Sequence, residues 1–149
     1  MNKIRMIALA ACMAATLDAA AQEQEIRLFS HRGGRMEHDE NTLSAFQASY
    51  DAGYRGFETD IRMTRDGALV ITHDSSLERT TDGTGTVEEK TEAEIRRLRT
   101  KQGNKVLFLD ELLEFLEGKE GLYVEFEMKT KPEVLYPEER LHAYCDKLY

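Results

Sequence analysis

Ser30-His31-Arg32-Gly33-Gly34, Glu40-Asn41-Thr42, Phe57-Glu58-Thr59-Asp60, Thr64-Arg65-Asp66-Gly67 and Val70-Ile71-Thr72-His73-Asp74 follow one another within a single stretch. Two histidines thus bracket two carboxylates spaced i, i+2. On a strand that spacing puts Glu58 and Asp60 on one face. Two hard oxygen ligands side by side suit Ca²⁺ or Mg²⁺, and flanking histidines are suited to moving protons in phosphoryl transfer.

Outward from this stretch, the chain reads as alternating strands and helices. Ile26 to Ser30 is a short apolar strand that delivers His31 and Arg32 at its exit, and Gly33-Gly34 permits a sharp turn close to a ligand. Asn41 is suited to cap a helix that carries Leu43, Phe46 and Tyr50 at helical spacing and stops at Gly53. Phe57 to Met63 is a second strand with Phe57, Thr59 and Ile61 opposite Glu58, Asp60 and Arg62. Buried parallel strands usually run continuously apolar, so inward acids here need a partner such as a metal. Asp66-Gly67 marks a tight turn, and Ala68 to Thr72 is a returning arm that brings His73 back to about the level of Glu58.

Ser75 to Lys90 is polar and glycine-rich, the composition of a surface loop, and Thr91-Glu92-Ala93-Glu94 is a capping box opening a short helix. Asp110 to Glu117 is predicted as a helix with Leu112, Leu113 and Leu116 on its apolar side and Gly118 as its stop. Leu122 to Met128 alternates, with Val124, Phe126 and Met128 facing one way and Tyr123, Glu125, Glu127 and Lys129 the other. Pro137 begins a last helix with Leu141, Tyr144, Cys145 and Leu148 on one face.

The order and spacing of these pieces, together with Glu78-Arg79-Thr80-Thr81-Asp82-Gly83-Thr84-Gly85 and Glu127-Met128-Lys129, resemble the glycerophosphodiester phosphodiesterase family from about Leu28 to Lys129. The resemblance implies an α/β fold of the TIM-barrel type, and hydrolysis of glycerophosphodiesters to glycerol phosphate and an alcohol. It makes His31 and His73 the catalytic acid and base, unassigned between them, and Glu58, Asp60 and Glu127 the ligands of a divalent ion. Lys129 becomes a phosphate or leaving-group contact.

Glu125 stands where the family leads one to expect asparagine, which leaves its part in the metal site open. Arg32 reads as a phosphate clamp, because a guanidinium offers paired donors to a phosphodiester's free oxygens, and a salt bridge to Glu58 is its plain alternative. Arg32 or Arg62 paired with the two acids is likewise the ordinary alternative to metal ligation. An isolated strand histidine is more often structural than catalytic. His31 and His73 each stand beside a charged residue at a segment's end, whereas His38 and His142 lack that setting and read as surface residues.

A TIM barrel normally takes about 250 residues, so 149 residues hold about the first half of the architecture the motifs imply. Met1 to Ala21 reads as a secretory signal: Lys3 and Arg5, then an apolar run from Met6 to Leu17 too short to span a bilayer, then Ala19-Ala20-Ala21. Residues 22–149 are then the mature domain, and export to the periplasm follows. A lipoprotein site at Cys12 is the rival reading, disfavoured by the short apolar segment ahead of it.

Removing the leader takes the formal charge from −8 to −9, which argues against nucleic acid as a partner. It also leaves Cys145 as the one thiol. The expected partner is a small glycerophosphodiester, without a stable membrane span. Two other readings stay open: a related barrel phosphodiesterase of the phospholipase type, and an inactive remnant that binds a divalent metal or phosphate. A half-barrel with unpaired strand edges is also expected to self-associate.

Overall fold

The computed structural model describes residues 27–148. The leader read over 1–21, its cleavage point and Cys12 lie outside the described residues. Strand β2 (Gly56–Met63) is the centre of an open sheet with three other strands among the described residues. Along one edge it pairs in parallel with β4 (Tyr123–Met128), from Gly56 opposite Tyr123 to Ile61 opposite Met128. Along the other edge two short strands follow end to end. β1 (Phe29–His31) runs parallel against Gly56 to Glu58, and β3 (Leu69–Ile71) runs antiparallel against Ile61 to Met63. Between them, level with Thr59 and Asp60, that edge has no strand partner among the described residues.

β2 and β3 form the expected hairpin. Thr64 N–H donates to Ala68 O at 2.9 Å, and Gly67, at φ +89°, supplies the left-handed residue the turn requires. The first strand is shifted from its expected bounds, so that His31 is its last residue rather than the one beyond it.

The helices are α1 (Leu43–Asp51), α2 (Glu92–Ile95), α3 (Leu109–Leu116) and α4 (Glu138–Leu148). Pleating divides β2 into two faces. Phe57, Ile61 and Met63 are buried against Phe46 of α1, Leu112 of α3 and Tyr144 of α4, with Ile71 and Tyr136 in the same core. The expected face of α4 holds: Tyr144 is fully buried, Leu141, Cys145 and Leu148 are half-buried, and the Tyr144 hydroxyl donates to Ile61 O. α2 starts at the expected capping box, Thr91 accepting from Glu94 N–H while the Glu94 carboxylate accepts from Thr91 N–H.

Three expectations change. The cap of α1 is Thr42, whose Oγ1 accepts from Ala45 N–H at 3.3 Å, and not Asn41, which sits just outside the helix at φ +56°. Leu113 of α3 is half-exposed, whereas Leu112 is buried and Leu116 packs partly buried against the same core. Ser75 to Lys90 is more than a solvent loop. Leu77 and Val87 are buried with Val70, Ile95, Val106 and Phe108 in a second core, which lies on the Arg62 side of β2, since Val70 pairs with Arg62. There Arg62, nearly fully buried, pairs with Glu88 at 2.7 Å, and Tyr136 O–H donates to the same carboxylate oxygen at 2.8 Å.

Candidate active site

The inward face of β2 carries Glu58, Asp60 and Arg62, and the parallel register sets Glu125 level with Glu58 and Glu127 level with Asp60. One carboxylate oxygen from each of Glu58, Asp60 and Glu127 falls within 4.8 Å of the other two. Glu125 is exposed and lies outside this group. Burial, followed by the neighbouring charges of Asp60 and Glu127, holds the Glu58 carboxyl above its ordinary range.

Asp60 is fully buried. Its Oδ2 accepts from Asn41 Nδ2 at 3.0 Å and lies 3.1 Å from Arg32 Nε. Its Oδ1 makes no hydrogen bond of good geometry with any described residue, its near cation being Lys129 Nζ at 3.1 Å. Lys129 Nζ also donates to Glu127 Oε1 at 2.6 Å. Burial acts to lower the Lys129 pKa, but the Glu127 and Asp60 carboxylates outweigh it and raise the ammonium above its usual value. A close group of oxygen donors, one of them a buried oxygen whose near partner is a cation without good hydrogen-bond geometry, suits a hard divalent cation.

Asn41 reaches Asp60 because the loop after β1 fills the gap in the β2 edge. Arg32 N–H donates to Glu58 O at 2.9 Å, and Asn41 N–H closes the loop onto Arg32 O at 2.9 Å. Arg32 itself lies in the left-handed region at φ +54°. Gly33 packs so closely on α1 that an added Cβ would stand 2.8 Å from Ala45 Cβ. With Thr59 Oγ1 donating to Asn41 Oδ1 at 3.0 Å, the Asn41 amide is held from both faces of the strand and its N–H₂ is aimed at Asp60.

His31 Nε2 lies 3.6 Å from Glu58 Oε2, with half of the His31 side chain exposed. Partial burial, then the Arg32 and Arg35 charges, lowers the His31 pKa and favours the neutral ring. On the returning arm Thr72 N–H donates to Asp60 O at 2.9 Å, so His73 follows at about the level of Thr59. Its carbonyl accepts from Arg62 Nε at 2.8 Å and its Nδ1 lies 2.6 Å from Asp74 Oδ1.

The sequence pattern of the glycerophosphoryl diester phosphodiesterase family matches residues 31–147. The chain belongs to this family. It is 37% identical over 123 residues to a glycerophosphodiester phosphodiesterase of Caldanaerobacter subterraneus, covering 76% of this chain and 50% of the relative. The crystal structure of glycerophosphodiester phosphodiesterase from Agrobacterium tumefaciens superposes with a TM-score of 0.67 at 29% identity, over 83% of this chain and 63% of the other. An Oleispira antarctica phosphodiesterase, solved with the product sn-glycerol-3-phosphate, gives 0.65 at 30% identity over 70% and 44%. The chain spans about half the length of the curated relatives it matches. Its open α/β sheet is the corresponding part of the family's TIM-barrel-type fold.

Of the residues singled out in the sequence, Glu58, Asp60, Glu127, Lys129 and Arg32 converge on one cluster, with His31 beside it. Arg32 pairs through its side chain with Asp60 and with Glu40, at 3.3 Å, while its backbone N–H is the group that meets Glu58. Arg62 pairs with Glu88 rather than with the triad. Asn41, read in the sequence as a helix cap, instead orients Asp60, and Glu40 stood there only within the quoted stretch. His38 and His142 are exposed, as expected.

Proposed function

We propose that the chain forms the N-terminal part of a metal-dependent phosphodiesterase that hydrolyses glycerophosphodiesters to glycerol phosphate and an alcohol. The observation that carries this reading is the close grouping of Glu58, Asp60 and Glu127. Three carboxylates this close repel one another, and the raised Glu58 carboxyl reflects burial first and that repulsion second. These three residues would hold Ca²⁺ or Mg²⁺. Such an ion supplies charge neutralisation at the phosphoryl oxygens.

The other roles fall to groups already gathered there. Arg32 and Lys129 offer donors to the phosphate oxygens, the guanidinium as a fork and the ammonium as a point charge. One of His31 and His73 removes a proton from the glycerol hydroxyl beside the phosphate, and that oxygen attacks phosphorus. The other histidine protonates the departing alcohol, and water then opens the cyclic phosphate. The Oleispira relative's bound sn-glycerol-3-phosphate supports this class of substrate. Among the described residues no helix is long and apolar enough to cross a membrane. The leader pattern over 1–21 supports export to the periplasm.

The test is choline release from glycerophosphocholine, with Ca²⁺, with Mg²⁺, and with excess chelator. Release that needs the ion is expected. Undiminished release in chelator would remove the metal from the scheme. No release by this chain or by a form extended to the length of its relatives would remove the activity.

A further inference from the structure

We propose that Glu40 and Arg79 are positioning residues, which hold the His73–Asp74 pair with the His73 ring in a single tautomer and tie it to Arg32. The inference rests on the reading of His73 as a proton-transfer group. It gives a role to two residues of the quoted motifs, Glu40 and Arg79, to which the sequence reading assigned none.

The contacts form one chain of alternating charge. His73 Nδ1 lies 2.6 Å from Asp74 Oδ1, and the other Asp74 oxygen accepts from Arg79 Nε. The two terminal nitrogens of Arg79 donate to the two oxygens of Glu40, at 3.0 and 2.8 Å. Glu40 Oε1 is shared with Arg32 Nη1 at 3.3 Å, and Arg32 Nε faces Asp60. A carboxylate only accepts, so Asp74 fixes the proton on Nδ1 of the neutral ring and leaves Nε2 as the nitrogen open to substrate. Burial alone would raise the Asp74 carboxyl, but hydrogen bonds from Arg79 and His73 bring it down to about 2, so it stays ionised and remains an acceptor. Glu40 is likewise lowered, chiefly by its hydrogen bond from Arg79.

Isolated exposed ion pairs contribute little, because water screens them and two long side chains must be ordered. This case differs in geometry. The guanidinium uses Nε on one acid and its fork on the other, an arrangement a lysine cannot copy. Glu40 is also less free than a surface glutamate, since its loop is closed by Asn41 N–H on Arg32 O, and both of those residues have positive φ. Arg79 therefore joins the loop after β1 to the loop after β3. Without it, Asp74 is free to turn away and the His73 ring to reorient.

The test is nitrogen-15 NMR of the histidine rings of the 149-residue chain, at a pH where the imidazoles are neutral. His73 is expected with its proton on Nδ1, and Arg79→Ala and Glu40→Gln should each shift it toward the Nε2–H form that a free imidazole prefers. His38 should be unchanged in both. A parent chain with His73 protonated on Nε2 would overturn the proposal without any variant, and so would an Nδ1–H ring untouched by either substitution. Where turnover is measured, each variant should lower kcat by about 10–100-fold with little change in KM. The double variant should be no worse than the worse single. Independent, multiplying losses would overturn the coupling. Absence of turnover in every form would count against the proposed function alone, since the tautomer is read without substrate.

Discussion

Replacing Asp60 by Asn keeps the shape of the side chain and removes one charge from the middle of the carboxylate group. Asp60 is fully buried and faces Arg32 Nε and Lys129 Nζ, each at 3.1 Å, and Asn41 Nδ2 at 3.0 Å. An amide has one accepting oxygen, so its N–H₂ must face a donor. Arg32, itself largely buried, loses the fully buried one of its two counter-charges and keeps Glu40, and breaking such a pair costs about 3–5 kcal/mol. For a chain of this size the melting midpoint should fall by roughly 10–15 °C. Metal adds a second, separable effect. An ion present at a hundred times its Kd stabilises the parent by about 2.7 kcal/mol, or roughly 8–10 °C, whereas Asp60→Asn should gain almost nothing. Because burial and the neighbouring acids raise the Glu58 carboxyl and it must lose its proton to bind, the parent's gain should grow as pH rises above the ordinary carboxylate range. Thermal unfolding of both proteins, with and without millimolar Ca²⁺ or Mg²⁺, reads every part of this. A parent midpoint indifferent to both ions, or a variant that gains as much as the parent, would refute the reasoning.

Tyr136 has its phenol pushed up to about 12 by burial and by the Glu88 charge. A folded value above the unfolded one of ~10 gives stability that is complete below pH ~10 and lost as pH rises through 12, on the order of 3 kcal/mol. Urea unfolding between pH 8 and 12 should show Tyr136→Phe with a shallower alkaline decline. Some slope should remain from Tyr144, which burial also raises; an unchanged slope contradicts the assignment. Among the described residues the outer edges of β1 and β4 pair with no strand, and Leu28, Phe29 and Tyr123 are exposed beside them. Light scattering of the 149-residue chain should therefore show dimers or larger species, and a monodisperse monomer would contradict this.

The parts of this architecture that were legible in the sequence are those with a short-range signature. The acids of β2 stand out because charged residues alternate with apolar ones in a strand, and Asp66-Gly67 and the Thr91 capping box mark their own turns. That Glu127 comes level with Asp60 is a matter of β2–β4 register, which no local spacing encodes; the family motif alone pointed to it. Asn41 reads as a helix cap because asparagine suits both a cap and a left-handed position, and only the fold reveals a neighbour whose carboxylate it orients. The Ser75 to Lys90 segment hides its core in the same way. Leu77 and Val87 are too sparse to show a period, and the residues that bury them, Val70 and Phe108, lie on other elements. Glu40 and Arg79 are far apart in sequence, so their pairing appears only once two loops are brought together.

The most direct measurement of the proposed chemistry is turnover of glycerophosphocholine by metal-loaded His31→Ala, His73→Ala and His38→Ala proteins. Loss of a general acid or base is expected to lower kcat by about 10²–10⁴-fold, so the first two variants should fall at least a hundredfold while their metal-induced thermal shift stays near that of the parent. His38, exposed in the loop after β1, should make no difference. Full activity in either the His31 or the His73 variant, or an equal loss in the His38 variant, would contradict the account.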